Sequence, residues 1–146
     1  MEHYIIYTDG GARGNPGPAA IGAVIANEQR SVVKEISEYI GETTNNEAEY
    51  GAAITALKKL KALIGKTGAK KAEVQLYADS ELLVRQLNGE YKIENPNIQK
   101  FFLELWNLKI DFGKVSFQAI PREQNKSADR LVNQALDSHS KTQKLL

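Results

Sequence analysis

The chain has 146 residues, enough for one domain with its own core, and 19 basic against 18 acidic side chains leave a net charge of +1. That balance excludes wholesale electrostatic capture of a polyanion but leaves room for a local basic patch. The absence of cysteine excludes disulfides, thiolate metal ligands and a cysteine nucleophile. No apolar run approaches the roughly 20 residues that cross a bilayer, and Met1-Glu2-His3 lacks the basic-then-apolar layout of a secretory leader. The expectation is a cytoplasmic monomer that makes no use of a membrane.

Taken in chain order, His3 to Asp9 reads as a central strand, apolar on both faces. Gly10 to Pro18 is dense in turn residues and predicts irregular structure. Ala20 to Ala26 and Ser31 to Ile40 follow as two more strands around a tight turn at Asn27 to Arg30, and together they predict an antiparallel meander. The spacing of Tyr50, Ile54, Leu57, Leu60 and Ile64 predicts a helix over 44–64, with Thr44 or Asn45 as its N-cap and a loop from Gly65 to Lys71.

A fourth strand, Glu73 to Ala78, is reached by a helical crossover and so is expected to lie parallel to the first. Helices over 79–87 and 95–108, a strand over 114–120 and a helix over 126–137 complete the pattern, with a polar, frayed tail from Ser138 to Leu146. The reading is a single α/β domain over 1–146, ordered βββαβααβα, with a mixed five-stranded sheet and helices on both faces. Lys58, Lys59, Lys61, Lys66, Lys70 and Lys71 crowd one segment. They suit a solvated helix face and a phosphate-tracking surface equally well.

Four acids stand where solvated charges have no need to be. Asp9 and Asp79 end apolar strands, Glu49 lies inside the most helical stretch, and Asp129 lies near the start of the last helix. Mixed sheets place their sites at strand carboxyl ends. Convergence of four acids there would demand a divalent cation to offset their repulsion.

The segments carrying these acids are Thr8-Asp9-Gly10-Gly11 with Gly14-Asn15-Pro16-Gly17-Pro18, Thr44-Asn45-Asn46-Glu47-Ala48-Glu49-Tyr50, Ala78-Asp79-Ser80, and Asn125-Lys126-Ser127-Ala128-Asp129. In these motifs, in this order, the chain resembles the type 1 ribonuclease H family from Tyr4 to Ala135. The resemblance implies a ribonuclease-H-like fold and hydrolysis of the RNA strand of an RNA–DNA hybrid, giving 5′-phosphate and 3′-hydroxyl ends. It also implies two Mg²⁺ ions, replaceable by Mn²⁺, on Asp9, Glu49, Asp79 and Asp129. Glu47 competes with Glu49 for that role. Two residues turn a helix by about 200°, so only one of them faces the site, and the motif selects Glu49. Substrate contacts fall by the same resemblance to Gly11, Asn15, Thr44, Asn45, Asn46 and Asn125, and duplex RNA is a possible second partner. Isolated asparagines in these positions would be read as caps and turns only.

The chain departs from many relatives in two respects. The loop before Asp129 carries Arg122 and no histidine, and the only histidines are His3 and His139. Arg122 accepts no proton near neutral pH, so an electrostatic catalytic role is expected of it. The basic helix that some relatives insert is reduced to Asn88-Gly89-Glu90-Tyr91-Lys92-Ile93-Glu94-Asn95, which leaves Arg13, Lys92, Arg122 and part of the lysine cluster for phosphate contacts. Phe101, Phe102 and Trp106 sit at helical spacing beside Ile98 and Leu105; packing is expected of at least Phe102 and Leu105, and none of these residues is assigned to the substrate. Two other classes stay open: a binding module that kept the fold without chemistry, and a ribonuclease-H-like DNA-processing enzyme.

Overall fold

The structure, a computed structural model, describes residues 2–145. Strands β1 (Glu2–Ala12), β2 (Gly17–Asn27) and β3 (Val32–Thr43) lead into helix α1 (Asn45–Lys71). Strand β4 (Ala72–Ala78), helices α2 (Glu81–Leu87) and α3 (Pro96–Ile110), strand β5 (Lys114–Ala119), a 3-10 turn (Arg122–Gln124) and helix α4 (Lys126–Leu145) follow. The sheet order is β3-β2-β1-β4-β5. The first three strands pair antiparallel, while β4 runs parallel to both β1 and β5. This is the expected mixed five-stranded α/β architecture.

Helices cover the sheet unequally. α1 packs on β1 and β2 and carries α3 against it, while α4 crosses β2, β3 and β1 on the opposite face. The larger core, with Ile6, Ile21, Leu57, Leu60, Leu76 and Leu105, lies under α1. A smaller one joins Ala20 to Val132, Ala135 and Leu136 under α4. Phe101 and Phe102 pack on the larger core from its margin. Trp106 stacks on Phe102 at 6.0 Å.

Three local expectations are corrected, and one open alternative is narrowed. Gly10, Gly11 and Ala12 continue β1, paired with Ile21, Ala20 and Ala19, and β2 already begins at Gly17. Turn residues misled here because a neighbouring strand supplies the hydrogen bonds that hold them extended. The segment after Gly65 is helical, and a kink at Gly65 (φ 77°, ψ 170°) separates it from the main run of α1. Positive φ at a residue without a Cβ lets the chain turn there and re-enter a helix. The segment 138–145, expected to fray, continues α4, with the His139 ring stacked on Tyr39 at 3.7 Å. Leu146 lies outside the described residues. Finally, Lys58, Lys59 and Lys61 approach Glu104, Glu38 and Asp111 at 2.7, 4.0 and 2.8 Å, which favours the solvated-face reading for that part of the cluster.

Two glycines set how closely the helices reach the sheet. A Cβ on Gly10 would stand 2.3 Å from the backbone of Ala48, and one on Gly22 would stand 2.3 Å from the carbonyl oxygen of Ala128. Neither obstacle is a side chain that can swing aside. Gly10→Ala and Gly22→Ala are therefore expected to destabilise by roughly 1–3 kcal/mol each, as overpacking does. Gly51→Ala, in open helix with its nearest neighbour at 3.8 Å, should stabilise by about 0.5–1 kcal/mol. Urea midpoints at constant slope would measure both signs.

Candidate active site

The last parallel pair between β1 and β4 is Thr8 with Ala78, so Asp9, within β1, and Asp79, just past the end of β4, lie side by side. Asp9 is held further by pairing with Gly22. Thr44 caps α1 by accepting from the Glu47 amide at 3.2 Å, and Glu47 turns back to accept from the hydroxyls of Thr43 at 2.8 Å and Thr44 at 3.1 Å. Glu47 is thereby committed to the helix start, and Glu49 takes the opposite side, towards Asp9. Oxygens of Asp9, Glu49 and Asp79 lie within 4.8 Å of one another. Asp129, on the first turn of α4, lines the same cleft of about 400 Å³.

Burial makes this cluster chemically unusual. Asp9 and Glu49 are 6% and 8% exposed. Loss of water pushes the Asp9 carboxyl up to about 7, and the charges of Asp79 and Asp129 add to the effect. Burial also drives Glu49 well above the ordinary carboxylate range, helped by the charge of Asp9 and then of Asp79. Glu49 Oε2 is buried without a hydrogen-bond partner. A buried carboxylate oxygen with nothing to bind is costly, and a cation shared with Asp9 and Asp79 would satisfy it. The all-oxygen donor set suits a hard ion such as Mg²⁺ or Mn²⁺.

The other anticipated residues divide into those in the cleft and those beside it. Gly11, Asn45 and Asn46 line it together with Arg13, Ser80 and Arg122. Asn15 accepts from the Asn45 amide at 2.9 Å, and Asn45 Oδ1 accepts from the Ala12 amide at 2.8 Å. The two asparagines thus tie the β1–β2 turn to the start of α1 through their oxygens, and each keeps its NH₂ donors for other partners. Thr44 stands outside the cleft lining, as the cap of α1. Arg122 is exposed, with Nε 3.9 Å from Asp79 Oδ2. His3 pairs with Glu73 at 3.3 Å, away from the carboxylates.

Asn125 is a correction. It is 1% exposed, and its Nδ2 donates to the Thr8 carbonyl at 2.8 Å. It braces the loop after β5 against the strand that carries Asp9 and does not present itself to a substrate. Its Oδ1 is buried without a partner.

Comparison with known proteins agrees with this geometry. Residues 7–135 match the family model described as reverse transcriptase-like. A protein named ribonuclease H from Chlorobium phaeobacteroides is 35% identical over 150 residues, covering 92% of this chain and 95% of the relative. The chain belongs to the type 1 ribonuclease H family. LC11-RNase H1, solved in complex with an RNA/DNA hybrid, superposes with a TM-score of 0.88 at 48% identity, covering 93% of this chain and 98% of the other. The bifunctional protein Rv2228c of Mycobacterium tuberculosis is 39% identical over 135 residues; these are 92% of this chain but only 35% of that protein. The chain thus spans about a third of the length of that relative.

Within this ribonuclease H domain the sequence patterns did not single out Ser80 or Asn133 as site residues. Ser80 caps α2 by accepting from the Leu83 amide at 3.2 Å and lines the cleft beside Asp79. Asn133 lies one helical turn beyond Asp129, donates to its carbonyl at 3.1 Å and accepts from Arg13 Nη2 at 3.4 Å. The i, i+4 spacing from Asp129 was the available signal.

The raised Asp9 value has a thermodynamic sign. A carboxyl that holds its proton more tightly folded than unfolded favours the folded state at low pH. That contribution is full below the unfolded value near about pH 4 and is lost as pH rises through about 7. With chelator present, the thermal midpoint of the wild type relative to Asp9→Asn should therefore decline across this interval. A difference that stays flat or climbs with pH would refute the assignment.

Proposed function

We infer that this chain is an endonuclease that hydrolyses the RNA strand of RNA–DNA hybrids with divalent cations, leaving 5′-phosphate and 3′-hydroxyl ends. The observation that carries the reading is the Asp9–Glu49–Asp79 oxygen cluster, within 4.8 Å and holding a buried, unpartnered Glu49 oxygen. A binding module has no use for a buried acidic cluster facing a polyanion. Family membership and the RNA/DNA hybrid held by LC11-RNase H1 support the same substrate.

Asp9, Glu49, Asp79 and Asp129 would hold two Mg²⁺ ions, with Mn²⁺ able to substitute. Bound there, such ions supply Lewis-acid stabilisation of phosphodiester charge and make water more acidic. The protein residues supply position. β1 and β4 fix Asp9 and Asp79 on adjacent rigid strands, so little reorganisation is needed when the phosphate arrives. The free NH₂ donors of Asn15, Asn45 and Asn46 suit ribose and base-edge oxygens, including the 2′-hydroxyl that separates RNA from DNA. Arg122, 3.9 Å from Asp79, places a permanent positive charge at the mouth of the cleft, where it favours the charge developing on the phosphate and leaving oxygen. Duplex RNA carries the same 2′-hydroxyls and is a secondary substrate; the working species is a monomer.

Cleavage of an end-labelled hybrid tests the reading. Internal cuts in the RNA strand are expected with Mg²⁺, and none with EDTA or in Asp79→Asn. That variant should be as stable as the metal-free wild type or more so, by about 1 kcal/mol, and Mg²⁺ should raise its melting temperature less than that of the wild type. A wild type that binds hybrid and cuts nothing under Mg²⁺ or Mn²⁺ would instead be a binding module. Arg122→Ala should slow cleavage by roughly a hundredfold, the lower range for a lost transition-state charge stabiliser. Both proteins should show rates rising with pH without a histidine-like inflection. Full activity of Arg122→Ala at every metal concentration would remove Arg122 from the mechanism.

A further inference from the structure

A second cleft, of about 540 Å³, opens between the end of β3 and the last turns of α4, with Arg13, Tyr39, Glu42, His139, Ser140 and Gln143 in its lining. It exists because α4 does not stop at Ser138. The helix continues to Leu145, and the His139 ring lies flat on Tyr39, 3.7 Å away and 8° from parallel. These last turns are thereby held against β3. The volume lies within the range of about 300–1,000 Å³ typical of built ligand sites.

The two clefts meet. Arg13 and Leu136 belong to the lining of both. Arg13 Nη2 donates to Asp137 Oδ1 at 2.7 Å and to Asn133 Oδ1 at 3.4 Å. Both members of the ion pair are half exposed, at 46% and 61% of their side chains. Exposed pairs of this kind contribute little, so the guanidinium can exchange Asp137 for a phosphate, which its forked donors fit well. Beyond Arg13 the chemistry changes from anion binding to hydroxyl and base recognition. Glu42 accepts only, Ser140 and Gln143 both donate and accept, and the Tyr39–His139 pair offers aromatic surface of the type on which unpaired bases stack. A bare anion would be repelled by Glu42, whereas a ribose hydroxyl would find an acceptor there.

From this we propose that the β3–α4 cleft is a nucleotide subsite for single-stranded RNA continuing from the cleaved duplex, with Arg13 gripping the phosphate at the junction. The assignment rests on the hybrid-cleavage reading above. Single-stranded flanks suit it because their bases are free to unstack, while the paired bases of a duplex are not.

The test compares KM for a blunt RNA–DNA hybrid with KM for the same hybrid carrying a four-nucleotide RNA extension at either end. One end is expected to lower KM about five- to tenfold, the lower range for stacking of a base on an aromatic side chain. The ratio of blunt to extended KM, in which any general loss cancels, should fall below twofold in Arg13→Ala and in the Ser140→Ala/Gln143→Ala pair. It should rise in Asp137→Asn, which releases Arg13. A DNA extension should give a smaller gain than RNA. A wild type that cuts blunt hybrid but gains from neither RNA extension overturns the subsite alone. So does a gain that survives both sets of substitutions, and an equal gain from DNA overturns its assignment to RNA. A wild type that cuts no hybrid removes the cleavage reading instead.

Discussion

Close approach of backbone to backbone at Gly10 and Gly22 is the constraint on which the rest depends. The two glycines sit on neighbouring strands, one position from each other's partner in the register, where Asp9 pairs with Gly22 and Gly10 with Ile21. They face opposite sides of the sheet. Gly10 admits the backbone of Ala48 and Glu49, and Gly22 admits that of Ala128 and Val132. One missing Cβ thus brings in the helix that carries Glu49, and the other brings in the helix that carries Asp129. Asp9 lies between them. Without that proximity Glu49 and Asp129 would stand apart from Asp9 and Asp79, which the pairing of β1 with β4 sets side by side.

What proximity creates is an electrostatic deficit in the metal-free protein. Asp9 and Glu49 are removed from water and repelled by their neighbours, and both respond by holding their protons more tightly. Packing elsewhere must offset that cost, and the apolar core under α1 directly adjoins the cluster: Tyr50, next to Glu49, is 1% exposed and donates from its hydroxyl to Gln86 at 2.8 Å. The same rigidity that resists repulsion aims the oxygens at one point. Stability and preorganisation are here two results of the same packing.

The polar residues around the cluster serve the framework before they serve a substrate. Asn15 and Asn45 spend their oxygens on the β1–β2 turn and the start of α1, Ser80 caps α2, and Asn125 braces the loop after β5 against Thr8. Each motif read from the chain therefore has a structural function that would place it in the same position even without chemistry. Asn125 shows the hazard: the motif containing it is a true signature, yet its side chain points into the protein. A motif marks where residues must be, and burial decides which of them meet solvent.

The sequence by itself determined most element types and their order along the chain, which follow from local periodicity. Motifs a few residues long named the four acids that the structure brings to one cleft. Helical geometry allowed only one of Glu47 and Glu49 to face the site, and the resemblance to the family selected Glu49. The sequence could not determine that Gly10 to Ala12 are strand, that the chain after Gly65 is helix, or that 138–145 continues α4. In each case the deciding hydrogen bonds or contacts come from outside the segment: Ala19 to Ile21 hold the first, the Gly113 amide donates to the Ala69 carbonyl at 3.0 Å in the second, and Tyr39 meets His139 in the last. Only the tertiary structure decided that Asn125 is buried and that Arg13 stands between two clefts. Burial and convergence depend on packing between distant segments, and no local pattern encodes that.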